Sequence, residues 1–169
     1  MASLRDRNAA LFDGVDDKLT LSNTHVNNLS TAPYSWYCVY QLSALSDCSP
    51  FGALGGYGFV VDNTNGRFGI YHAGTLYYTA SGYVHDLSTN VVVGRFTGSH
   101  IELWLNNVLI LKVAATGVGF ANGLYVGARP NMPSLAMNGY IGAIGIQAAS
   151  ISDNQIDGLS RYLKTHWGA

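Results

Sequence analysis

A chain of 169 residues is about one domain's worth, long enough to bury roughly two thirds of its unfolded surface around one core. It is 48% hydrophobic and only 11% charged, which excludes a disordered tail and leaves a surface built largely from Asn, Ser, Thr, Gly and Tyr. Net charge is −1 with no cluster of Lys or Arg, so the footprint that phosphate-backbone binding requires is missing and no nucleic acid partner is expected.

The first residues, Met1-Ala2-Ser3-Leu4-Arg5-Asp6-Arg7, carry charge where a secretory signal needs an apolar run. No apolar stretch reaches the roughly twenty residues that cross a bilayer. Neither an export signal nor membrane insertion is therefore expected. Strands are read at Leu11-Phe12 and at Leu19 to Leu21. From Tyr34 to Leu42 both faces are apolar or aromatic, which predicts a central strand covered on both sides. Two cysteines are too few for a disulfide scaffold. Cys38, inside that strand, reads as a small buried thiol, with a Cys38–Cys48 bridge as the alternative.

Phe59-Val60-Val61 and Phe68-Gly69-Ile70-Tyr71 flank Asn63-Thr64-Asn65-Gly66, whose Asn and Gly tolerate the positive φ of a tight turn. This predicts a hairpin, and further strands follow at Thr75 to Thr79 and Val91 to Phe96. Ile101, Leu103 and Leu105 alternate with His100, Glu102 and Trp104 before Asn106-Asn107 turns the chain into Val108 to Val113. The last strands are Leu124 to Gly127 and Tyr140 to Gln147. About eleven short strands with a period of two predict an all-β, two-sheet antiparallel sandwich. One helix, about 153–166, is predicted from the Ser152/Gln155 capping box and an Ile151–Ile156 staple. Ile156, Leu159, Leu163 and Trp167 form its apolar stripe; Lys164, His166 and Gly168 mark its end. With no repeat, low-complexity tract or linker, residues 1–169 read as a single domain.

Five segments carry a family resemblance. They are Leu11-Phe12-Asp13-Gly14-Val15-Asp16-Asp17, Ser35 to Val39, Val92 to Phe96 with Glu102 to Asn107, Leu124 to Ala128 with Gly139 to Ile144, and Ile151 to Gly168. In that order they resemble the concanavalin A-like, laminin G-like jelly rolls over nearly the whole chain. The resemblance implies a jelly-roll sandwich with a lectin-like binding role. The chain departs from the pattern at Ala143-Ile144, where many members carry an acidic residue, and near Asn90, where a tryptophan is often found. Both departures weigh against a family-type calcium site.

Some relatives of this fold are glycoside hydrolases, which need two carboxyl groups about 5 Å apart. Glu102 is the chain's one glutamate, and the aspartates lie in turns or near the ends, so that chemistry is not expected. Tyr71-His72-Ala73-Gly74 faintly resembles part of a polysaccharide-lyase motif, without its companion Arg and Gln-x-His elements. His25, His72, His85, His100 and His166 lack zinc-ligand spacing. Asp62 to Gly66 looks like half a calcium loop, but its glycine is one place early and the closing glutamate is missing, so it reads as a turn. Asp13, Asp16 and Asp17 could offer oxygens to Ca²⁺, or form a turn bonded to its own backbone.

What remains is the aromatic inventory, with Tyr57, Tyr71, Tyr77, Tyr78 and Tyr83 crowded into the middle third. Tyrosine offers a flat apolar face and a hydroxyl, suiting both sugar stacking and protein contact. Tyr71, His72, Tyr77, Tyr78 and Trp104 are the candidate ligand-binding residues, expected on an exposed face. The reading is a non-catalytic, lectin-like module that contacts a glycan or cell-surface polysaccharide. A virion surface, as a capsid decoration, head fibre or tail adhesin of a phage, is the expected setting, with the cytoplasm as the alternative. A purely structural assembly protein that holds a capsid or tail protein, or a second copy of itself, is the competing function.

Overall fold

The computed structural model describes residues 4, 8–21, 33–53, 57–83, 86–117, 123–128 and 135–168. Among the described residues, twelve strands form the two sheets of a sandwich: β1 (Ala10–Asp13), β2 (Leu19–Leu21), β3 (Tyr34–Leu42), β4 (Cys48–Ala53), β5 (Tyr57–Asp62), β6 (Arg67–His72), β7 (Thr75–Tyr78), β8 (Thr89–Phe96), β9 (His100–Leu105), β10 (Val108–Ala114), β11 (Leu124–Val126) and β12 (Asn138–Gln147). One sheet runs β1-β12-β3-β8-β9-β10 and the other β2-β11-β4-β5-β6-β7. Every pairing is antiparallel. The sequence therefore forms the all-β antiparallel sandwich it predicts. One helix, α1 (Asp153–Trp167), closes the chain.

Period-two alternation assigns each side chain to a layer. From β3, Tyr34, Trp36, Cys38, Tyr40 and Leu42 enter the space between the sheets, where they meet Phe51 and Ala53 of β4, Phe59 and Val61 of β5, and Phe68 and Ile70 of β6. Trp36 meets Phe51 edge-on with ring centroids 4.6 Å apart, and Phe59 stacks on Phe68 at 6.0 Å. Room for the Trp36 indole comes from Gly94, its register partner on β8, where an added Cβ would stand 2.1 Å from Cε2. Cys38 and Cys48 are both buried free thiols.

The other face of β3 is equally covered, as its two-sided apolar pattern requires. Val39, Val91, Val93 and Trp104 pack there against Ile156 and Leu163 of α1, with Tyr37, Tyr140 and Trp167 around them. The helix begins at the expected capping box: Ser152 Oγ accepts from the Gln155 amide, and Gln155 Oε1 accepts from the Ser152 amide. Ile151 joins the same apolar cluster as Ile156. Gly168, at φ 75°, ends the helix in the left-handed conformation and donates its amide to the Lys164 carbonyl. An ion cluster centred on the buried Glu102 fastens the helix start to the sheet. Arg95 pairs with Glu102 and Asp153 and donates to the Ile151 carbonyl, while Lys112 reaches the other Glu102 oxygen.

Two hairpins follow the sequence closely. Asn106 and Asn107 have φ of 51° and 73°, the left-handed pair that a two-residue hairpin turn demands. The Asn63 to Gly66 turn joins β5 to β6. β4 is an addition to the predicted set. Pro50 obscures it, because a residue without an amide hydrogen argues against a strand with neighbours on both sides. The register shifts between Cys48 and Phe51, and the Pro50 carbonyl accepts from Gly127, so the strand tolerates proline at an irregularity.

Candidate functional site

The two outer faces of the sandwich differ in what covers them. α1 lies over that of the β3 sheet, whereas that of the β4 sheet holds a groove of about 440 Å³. Its lining is Asp47, Val60, Asp62, Asn65, Arg67, Tyr71, Leu76, Tyr78 and Leu135. Strand pairing explains the set: Asp62 is opposite Arg67, Tyr71 opposite Leu76 and Gly69 opposite Tyr78. Alternation then places Val60, Asp62, Arg67, Gly69, Tyr71, Leu76 and Tyr78 on one face.

Polar groups at one end of this groove are tightly organised. Arg67 reaches Asp62 Oδ2 with Nη2 at 2.6 Å and Nε at 3.1 Å. The Asn65 amide donates to Asp62 Oδ1 at 3.0 Å, and its side-chain nitrogen bridges both carboxylate oxygens. Burial alone would raise the Asp62 carboxyl, but the bonds from Arg67 and Asn65 prevail and hold it below the usual carboxylate range. The Arg67 guanidinium lies over the Tyr78 ring, 3.9 Å from its centroid. Gly69 leaves room for that ring, since an added Cβ would stand 2.9 Å from Tyr78 Cε1. Asp47 takes both the Thr64 amide and its hydroxyl.

The five candidate binding residues do not share a surface. Tyr71 and Tyr78 line the groove. His72 and Tyr77 are the neighbours of these two along their strands and so point inward. The expectation of an exposed His72 is corrected: the residue is 0% exposed, and Tyr34 Oη lies 2.7 Å from its Nδ1. Tyr77 packs against the inner core. Trp104 is only 8% exposed and belongs to the cluster under α1, with Arg95 above its ring. The correction was legible in strand parity, because consecutive residues such as Tyr71 and His72 face opposite sides. The same parity ties Asp62 and Arg67 to Tyr71, a grouping the reading by residue type missed. Among the other tyrosines, Tyr83 packs edge-on against Phe68.

Two further places gather side chains around a space that a ligand could enter. Asp13, Asp16 and Asp17 bring carboxylate oxygens within 4.8 Å of one another, all exposed. Asp13 accepts from the Val15 amide and Asp17 from the Asp13 amide, so two of the three carboxylates bond the turn's own backbone. That is the self-bonded turn of the two readings, and it leaves the fit to Ca²⁺ resting on exposed acidic groups alone. A second cavity, of about 370 Å³, lies between the start of α1 and the edge of β3 and β12, against Trp36, Tyr37, Ile146, Ile151 and Leu159. Its described lining has no charged side chain. No helix among the described residues is long and apolar enough to cross a membrane.

Comparison of the sequence with family models and with curated proteins yields no match. The fold, by contrast, is shared with solved structures. The chain is similar to the CBM40 of the Ruminococcus gnavus IT-sialidase bound to α2,3-sialyllactose, with a TM-score of 0.72 at 11% identity, covering 91% of this chain and 97% of that one. It is similar to domain 4 of AbnA, a GH43 extracellular arabinanase from Geobacillus stearothermophilus in complex with arabinotriose (TM-score 0.69, 15% identity, 90% and 76% covered). It also resembles part of the Trypanosoma rangeli sialidase in complex with sialic acid (TM-score 0.69, 13% identity), covering 94% of this chain but 28% of that one. At these identities the likeness establishes the jelly-roll sandwich and no more.

Proposed function

We propose that the chain is a non-catalytic glycan-binding module that seats sugar rings on the outer face of the β4 sheet. One observation carries this reading: an open groove with Tyr71, Tyr78 and Leu76 in its surface, bordered by Asp47, Asn65 and the Asp62–Arg67 pair. Tyr71 and Leu76 supply apolar surface for the C–H face of a sugar ring, the Tyr78 ring carries the Arg67 guanidinium beside it, and the carboxylate, amide and guanidinium groups match its hydroxyls. Solved structures of the same fold described with sialyllactose and arabinotriose support it. So does the placement of His72, which lies in the core, away from a polysaccharide on the surface. The test is a glycan array followed by calorimetry. Tyr71→Ala and Tyr78→Ala should each weaken binding at least about tenfold, or about 1.4 kcal/mol, whereas Tyr162→Ala, on the exposed side of α1, should leave it unchanged. Equal binding by all three would remove the groove from the account.

A structural role is the second reading, favoured by exposed Leu11, Val15, Leu19 and Leu21 on and between the edge strands β1 and β2. Sugar binding by a monomer would set it aside; a stable oligomer with no glycan signal would favour it over the first. A virion surface is proposed as its setting, from the resemblance of the sequence to laminin G-like jelly rolls. Detection of the chain in purified particles by mass spectrometry tests it.

A further inference from the structure

We infer that the groove selects uncharged sugars over carboxylated ones, an inference that rests on the glycan-binding reading and names the ligand class. The described lining holds two carboxylates, Asp47 and Asp62, against one cation, Arg67. That cation is already engaged. Nη2 and Nε converge on Asp62 Oδ2, at 2.6 and 3.1 Å, and Cζ lies over the Tyr78 ring, 3.9 Å from its centroid. A sugar carboxylate approaching Arg67 would therefore meet a cation whose charge Asp62 already balances and would stand near the Asp47 charge.

Asp62 does not yield by taking up a proton at neutral pH, because the bonds that fill its two oxygens favour the ionised form. For a neutral sugar the same groups are assets. Asp47 spends its oxygens on the exposed Thr64 amide and hydroxyl at the groove border, where carboxylate lone pairs remain for sugar hydroxyls. Like-charge juxtaposition is a means of rejecting the wrong ligand, and here it is built from residues that also hold the hairpin turn.

The test compares neutral and acidic oligosaccharides on the full chain by calorimetry. The probes are arabinotriose, xylotetraose, cellotetraose and lactose against trigalacturonate and 3′-sialyllactose. Neutral probes should bind at least tenfold more tightly than acidic ones at low salt. The gap should narrow in high salt and in Asp47→Asn, since screening or removal of one charge relieves the repulsion. Acidic probes that bind as well as, or better than, the neutral ones would overturn the charge selection and leave glycan binding standing. If no probe of either class binds, and an array of both classes is silent, the glycan reading itself falls and this inference with it.

Discussion

The Tyr78 ring lies against Gly69, its register partner across β6 and β7, so closely that a Cβ on the glycine would meet Cε1 at 2.9 Å. Gly69 thus positions the ring on which the Arg67 guanidinium rests at the groove surface. The glycine contacts, to Tyr78 Cε1 and Cδ1 at 2.9 and 3.1 Å and to Leu76 Cδ1 at 3.0 Å, are to side chains at the groove surface and none is to backbone, so an added methyl shifts the Tyr78 ring rather than the sheet. Gly69→Ala is accordingly expected to change stability by less than about 1 kcal/mol while lowering glycan affinity about tenfold. Chemical denaturation and calorimetry on the same sample check the split. An equal loss in both would mean that Gly69 serves the fold alone.

Glu102 is 2% exposed and meets two cations, Arg95 and Lys112, on the face that α1 covers. Arg95 also ties Ile151 and Asp153 at the helix start. Removing one partner of a buried ion pair leaves the other charge poorly compensated. Glu102→Ala should destabilise the chain by about 3 kcal/mol, with amide exchange in α1 accelerated more than in β5 and β6. Hydrogen-exchange mass spectrometry reads this directly.

His72 gives a pH dependence with a definite sign. Burial lowers its pKa below the ordinary 6.5, against the raising effect of a backbone bond with Thr116. As pH falls through 6.5 the unfolded chain takes up a proton on this ring before the folded chain does, so stability declines on the acid side and the slope vanishes above that pH. Urea midpoints at pH 7.5 and pH 5.5 should differ more for the parent chain than for His72→Gln, which keeps an acceptor for Tyr34.

The two thiols face each other's sheets in one core. Burial pushes Cys38 well above its usual range and Cys48 up to about 12, so neither offers a thiolate at neutral pH. A thiol-reactive dye should label neither cysteine in the native chain and both after denaturation without reductant. Labelling of neither after denaturation would reveal the bridge instead.

The layered architecture was legible because it is written in periodicities. The Ile101 to Leu105 alternation, the Asn106-Asn107 turn and the Ser152/Gln155 box are local signals, and each appears where its chemistry requires. β4 was hidden because Pro50 carries a local signal against a strand that the register irregularity overrides. The groove was half legible. Tyr71 and Tyr78 were found by residue type, but separating them from His72 and Tyr77 required strand parity. Recruiting Asp47 and Leu135 required tertiary placement, since both lie outside β5, β6, β7 and the Asn63 to Gly66 turn that carry the rest of the lining. Trp104 misled because its polar neighbours Glu102 and Arg95 imitate a solvent face while pairing with each other under α1.

The central claim is that sugar meets this molecule on the outer face of β5, β6 and β7. Amide shifts of the ¹⁵N-labelled chain, titrated with the strongest glycan on an array, test it most directly. The account requires the largest shifts at Val60, Asp62, Asn65, Arg67, Tyr71 and Tyr78, with α1 and the Asp13–Asp17 turn unmoved. Shifts confined to the cavity beside Ile151 and Leu159, or to that acidic turn, would contradict it.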